Sequence, residues 1–151
     1  MTAAQIVQCV PNISEGRRLD VVEQIVAHIR QSEGVQLLDY SSDDDHNRTV
    51  ITYVGELAAV EEASFRLTQA AVAQIDMEKH KGAHPRIGAV DVIPFIPIQG
   101  VTMAECVQGA KRLAERISTE LAVPTYLYGE AALRPSRKNL SNIRKGNYEG
   151  L

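Results

Sequence analysis

Val35-Gln36-Leu37-Leu38-Asp39-Tyr40, then Ser41-Ser42-Asp43-Asp44-Asp45-His46-Asn47, then Arg48-Thr49-Val50-Ile51-Thr52-Tyr53-Val54-Gly55 form the stretch from which the architecture is read. The last segment alternates. Val50, Thr52 and Val54 fall on one face and Ile51 and Tyr53 on the other, which is the period of a strand. Val35 to Tyr40 reads as the strand before it. Two strands joined by a short polar connection pair antiparallel, so positions 35–55 predict a hairpin.

Helices are expected on both sides of this hairpin. Upstream, Val21, Val22, Ile25, Val26 and Ile29 recur at helical spacing from about Leu19 to Gln31, and Gly34 closes the helix. Downstream, Val60, Ala63, Leu67, Ala70 and Ala71 form a stripe within about Glu56 to Ile75. Gln5 to Val10 reads as a first strand ended by Pro11, and Asn12-Ile13-Ser14-Glu15-Gly16 as a turn-rich loop. A further strand is expected from about Gly88 to Ile96. A third amphipathic helix follows, with Thr102 as N-cap and Glu105 completing a capping box. Val123 to Tyr128 reads as a fifth strand, followed by a polar, basic tail. The first six elements match the split βαβ, ferredoxin-like plan. The fold class is therefore α+β, an antiparallel sheet with helices on one face. The other face of such a sheet must be hydrated or covered.

The chain has 151 residues, 44% apolar and 23% charged, which fits one soluble domain with a sizeable core. A net charge of -3 argues against general nucleic-acid binding. Cys9 and Cys106 read as buried thiols of a reducing cytoplasm, and neither a signal peptide nor a membrane span is visible. Asp43-Asp44-Asp45 lacks the glycine and distal glutamate of a calcium loop.

The densest chemistry lies in His80-Lys81-Gly82-Ala83-His84-Pro85-Arg86-Ile87-Gly88. Gly82 and Pro85 argue for a loop, and a loop leading into a buried strand is a common seat for reactive groups. His80 and His84 alone are too few for a metal site, which needs three or four ligands, so no metal is expected. His84, fixed by Pro85 and flanked by Arg86, is the candidate for proton transfer near neutral pH. Arg48 and Arg86 are candidates for gripping substrate carboxylates.

Several stretches together resemble the N-terminal subdomain of glutamate formiminotransferase (glutamate formimidoyltransferase). They are Cys9-Val10-Pro11-Asn12-Ile13-Ser14-Glu15-Gly16, Asn47-Arg48-Thr49-Val50, Ile75-Asp76-Met77, the histidine segment through Pro97, and Tyr126-Leu127-Tyr128-Gly129-Glu130-Ala131-Ala132. The resemblance implies transfer of the formimino group from N-formimino-L-glutamate to tetrahydrofolate in histidine breakdown, with tetrahydrofolate as co-substrate. It places the catalytic histidine at His84, taking the proton from N5 of the folate as that nitrogen attacks the formimino carbon. Asn12, Ser41, Arg48, His80 and Arg86 complete the candidate substrate- or folate-binding set. Ser41 stands where the family has an acidic residue, and Asp43, two positions on, is the available replacement. The family is expected to have a second ferredoxin-like subdomain stacked on the first, with folate between them. That second subdomain is not within these residues. The open sheet face is then expected to be covered by a separately encoded second subdomain, by the rest of a longer enzyme of which this chain is a fragment, or by a second copy in a homodimer. The alternative reading is a binding module for folate or an acidic metabolite, dimerising through that face without turnover.

Overall fold

The structure is a computed structural model and describes residues 4–75, 89–123 and 125. In chain order the elements are β1 (Ile6–Cys9), β2 (Asn12–Ile13), α1 (Leu19–Arg30), β3 (Val35–Asp43), β4 (Arg48–Gly55), α2 (Leu57–Gln74), β5 (Val90–Val92), β6 (Phe95–Gln99) and α3 (Met103–Leu121). β1 and β2 are one line broken at Pro11, which has no N–H for the ladder. Its carbonyl still accepts from the Ile51 N–H at 3.1 Å, so the line keeps its place beside β4. β5 and β6 are likewise separated by Ile93-Pro94. The sheet runs β5/β6, then β1/β2, then β4, then β3, and every neighbouring pair is antiparallel.

The expected hairpin is present, and so are the three helices. Thr102 accepts from the Glu105 N–H, and the Glu105 carboxylate accepts from the Thr102 N–H, giving the capping box. Three boundaries differ from expectation. Asn12-Ile13 is paired strand rather than loop, because Pro11 interrupts the ladder without ending it. Ser41, Ser42 and Asp43 belong to β3, where Ser42 Oγ and Thr49 Oγ1 meet at 2.8 Å across the ladder. The strand after the histidine segment is two strands, broken at Pro94. Of the proposed fifth strand, Pro124 and Tyr126 to Tyr128 lie outside the described residues, as does the basic tail.

Strand alternation sorts the sheet into two faces. Val7, Cys9, Ile13, Thr49, Ile51 and Tyr53 point to the helices and are fully buried. The apolar ones among them cluster with Val22, Ile25, Val26 and Ile29 of α1 and with Val60, Ala63, Leu67 and Ala71 of α2. Each large side chain buried there contributes about 1.5–3 kcal/mol. The core holds one polar trio: Tyr53 Oη lies 2.7 Å and Cys9 Sγ 3.6 Å from Ser64 Oγ. Burial pushes the Cys9 thiol up to about 12. α3 is tied to α2 by Phe65, Leu113 and Ile117, by Arg112 forked on Glu61, and by Arg116 on Glu62 and over the Phe65 ring.

The opposite face carries Gln36, Asp39, Ser41 and Asp43 of β3, Arg48, Val50, Thr52 and Val54 of β4, and Gln8 and Asn12 on the β1/β2 line. Ile96 continues it on β6, opposite Gln8. None of these joins the helix-side core. Ile96 and Ile98 are 39% and 55% exposed, so this face presents hydrocarbon to its surroundings.

Candidate functional site

One end of the sheet collects the features of interest. β2 ends there, β3 and β4 are joined there, α1 starts there and α2 stops there. At that end of the open face, Asn12 and Ser41 flank Val50 in register from its two sides. Arg48 lies two positions from Val50 on the same face, opposite Asp43. Three of the sequence-selected residues, Asn12, Ser41 and Arg48, are thus brought together, Ser41 and Arg48 from the two arms of one hairpin and Asn12 from a strand distant in the chain. Asn12 and Arg48 are half-buried, with the Arg48 Nε enclosed, and Ser41 is exposed.

His80, His84 and Arg86 lie outside the described residues, but the residues flanking that segment are placed. Gln74, at the last turn of α2, gives its carbonyl to Arg18 Nη2 at 3.0 Å. Ala89, just before β5, gives its carbonyl to the Ser14 N–H at 2.8 Å. Both attachments are to the same β2–α1 loop. The histidine segment therefore leaves and rejoins the described structure at the end of the sheet that carries Asn12, Ser41 and Arg48.

That loop is held from several sides. The Glu15 carboxylate, buried although charged, accepts from the Arg17 N–H at 3.2 Å, the Arg18 N–H at 3.0 Å and Arg18 Nε at 2.7 Å. It holds the turn that leads into α1, whose N-cap residue Arg18 makes no side-chain cap of its own. The Glu15 carbonyl accepts from Thr49 Oγ1 at 2.5 Å. Gly16 sits so close to the β3–β4 turn that a Cβ would lie 2.5 Å from the Arg48 and Asp43 carbonyl oxygens. Its N–H donates to Asn47 Oδ1 at 2.9 Å, and Asn47 adopts a left-handed conformation (φ 51°) that asparagine tolerates better than most residues. The sequence alone assigns no separate role to Glu15 or Asn47. The available signals were an acid just ahead of a helix start and an asparagine closing a hairpin.

Asp43, the replacement weighed for the carboxylate missing at position 41, is already engaged. It accepts from the His46 N–H at 3.1 Å and pairs with His46 Nδ1 at 2.7 Å. These His46 contacts hold its carboxyl below the usual range. Asp39 shares the open face with Ser41, opposite Thr52, and is exposed. The end of the sheet thus offers hydrogen-bonding groups, a guanidinium and carboxylates beside the hydrocarbon of Val50. That mixture suits a flat, partly apolar, polar-edged ligand. Among the described residues, no cluster of three metal-ligating side chains occurs, and no helix is long and apolar enough to cross a membrane.

Residues 6–151 match the family model described as the formiminotransferase domain, N-terminal subdomain. The chain belongs to that family. It is 51% identical over 98% of its length to a glutamate formimidoyltransferase of Streptococcus pyogenes, covering 50% of that protein. The same identity and coverage hold against a formimidoyltransferase-cyclodeaminase of Mus musculus, where it covers 27%. A glutamate formimidoyltransferase of Thermoplasma acidophilum is 46% identical over 95% of the chain, which covers 48% of it. The chain thus spans half or less of the length of these relatives.

Proposed function

We propose that this chain supplies the histidine-bearing half of a formimino-transfer site, moving the formimino group from N-formimino-L-glutamate to tetrahydrofolate. In this reading His84 accepts the proton from N5 of tetrahydrofolate as the nitrogen attacks the formimino carbon. An imidazole is matched to that task near neutral pH. Asn12, Ser41 and His80 bind substrate or folate, and Arg48 and Arg86 hold carboxylates. The observation that carries the reading is the common anchorage of Gln74 and Ala89 beside Asn12, Ser41 and Arg48. Membership of the family supports the reaction class.

The strand order, with two βαβ units interleaved in one antiparallel sheet, supports a ferredoxin-like assignment. A second subdomain of the same plan would lie over Val50, Thr52, Val54 and Ile96 and enclose the folate. The exposed hydrocarbon of Ile96 and Ile98 also favours a second reading: a binding module that pairs with another copy through this face, without turnover.

The test is a transfer assay with both substrates, run on the chain alone and with the second half of a relative supplied in trans. Turnover that falls at least about 100-fold in His84→Ala supports the proposal. Tetrahydrofolate binding with no turnover in either format supports the module instead.

A further inference from the structure

We propose that Glu15 is a positioning residue, a buried carboxylate that holds the end of α2, from which the histidine segment departs, to the loop where the chain is anchored again at Ala89. Its consequence for turnover rests on the formimino-transfer reading; its mechanical part does not. The Arg17 and Arg18 N–H groups ask only for a neutral acceptor in the turn before α1, which serine or asparagine could supply. A carboxylate 4% exposed is a costlier choice unless it is paired.

The pairing shows what the charge achieves. Glu15 Oε1 holds Arg18 Nε at 2.7 Å, and the other end of the same guanidinium donates to the Gln74 carbonyl at 3.0 Å. The acid thus reaches the end of α2 through Arg18, where a cation also suits the helix dipole. On its other side Glu15 is locked by Thr49 Oγ1 on its own carbonyl, 2.5 Å away. The adjoining Ser14 N–H holds the Ala89 carbonyl at 2.8 Å. The Glu15 carboxylate therefore ties the last turn of α2 to the β2–α1 loop, while the backbone of Ser14 and Glu15 ties that loop to the start of β5 and to β4. Small displacements of a reacting group cost large factors in rate, so holding the point where the histidine segment leaves α2 is a catalytic asset.

The experiment compares Glu15→Gln and Arg18→Met with the wild-type chain, with Glu23→Gln as control. Glu23 is also ion-paired on α1, but to Arg30, and accepts a hydrogen bond from the Tyr40 hydroxyl, away from these anchors. Glu15→Gln keeps an acceptor for the two N–H groups and drops the charge; Arg18→Met keeps the stem and drops the guanidinium. The readouts are melting temperature, the imidazole NMR signals of His80 and His84 through a pH titration, and kcat and KM in the transfer assay. The proposal predicts folded variants whose His80 and His84 signals and titration midpoints move. It also predicts kcat lower by roughly 10- to 100-fold with KM little changed, and Glu23→Gln like wild type. Folded variants with wild-type imidazole signals overturn it. Unfolding of both variants also overturns it, since the pair would then be plain structural support. Shifted imidazoles in a chain whose wild type shows no transfer leave the clamp standing and bring down only the functional reading.

Discussion

Ile51 and Val50 are neighbours on one strand and face opposite worlds. Ile51 is sealed beneath α1 and α2 in a cluster of aliphatic side chains. Val50 lies half-buried between Asn12 and Ser41, on the face whose described residues stay out of the helix-side core. The same backbone alternation makes both surfaces, but different demands chose their residues. The helix side is explained by burial alone. The open side mixes hydrocarbon with carboxylates, a serine, an asparagine and an arginine, a composition that burial within this fold does not call for.

If that contrast is right, stability and function separate by face. The largest loss is expected for Ile51→Ala, about 2–5 kcal/mol in a urea unfolding series, against about 1 kcal/mol or less for Val50→Ala. A similar loss from the two would erase the distinction. Gly16→Ala comes next, with about 1–3 kcal/mol lost, because the new methyl meets backbone that has no room to yield. It strikes the seam between the β2–α1 loop and the hairpin turn, so it should also lower transfer. Tyr53→Phe should cost about 1 kcal/mol by leaving Ser64 Oγ with a weaker set of partners. Arg48→Ala is the converse case. It should leave the unfolding midpoint close to wild type while weakening binding of the carboxylate-bearing substrates.

Acid and alkali probe the faces differently. Asp43 is held below its ordinary value by His46, so its contribution is present above the unfolded carboxylate's range and fades as pH falls through the folded value. The His46 amide should therefore shift in acid before the helices melt. Cys9, pushed up to about 12, stays a thiol on the helix side. It should resist alkylation in the native chain at pH 8 and react once the chain is unfolded. Native labelling of Cys9 would mean that the core opens far more readily than its packing implies.

The legible part of the molecule was the part governed by periodicity. Val21 to Ile29, Arg48 to Gly55 and the Thr102–Glu105 box announce their structure because burial and capping impose a spacing. Less legible were Asn12-Ile13 and Ser41 to Asp43, which carry turn residues but pair as strand because β4 supplies a template on both sides. Of the candidate site, Asn12, Ser41 and Arg48 could be selected from the sequence, but not their convergence on Val50, which depends on register. Glu15 stayed hidden for a related reason. Its partners at Thr49 and, through Arg18, at Gln74 are distant in sequence and share no motif with it.

The contrast between faces is most directly tested by methyl NMR with tetrahydrofolate. Labelled Val50 and Ile51 methyls sit one residue apart and report opposite sides of the sheet. On addition of the folate, the account predicts saturable shifts at the Val50 methyls and little change at the Ile51 δ-methyl. Shifts confined to Ile51 and the helices, with Val50 silent, would contradict it.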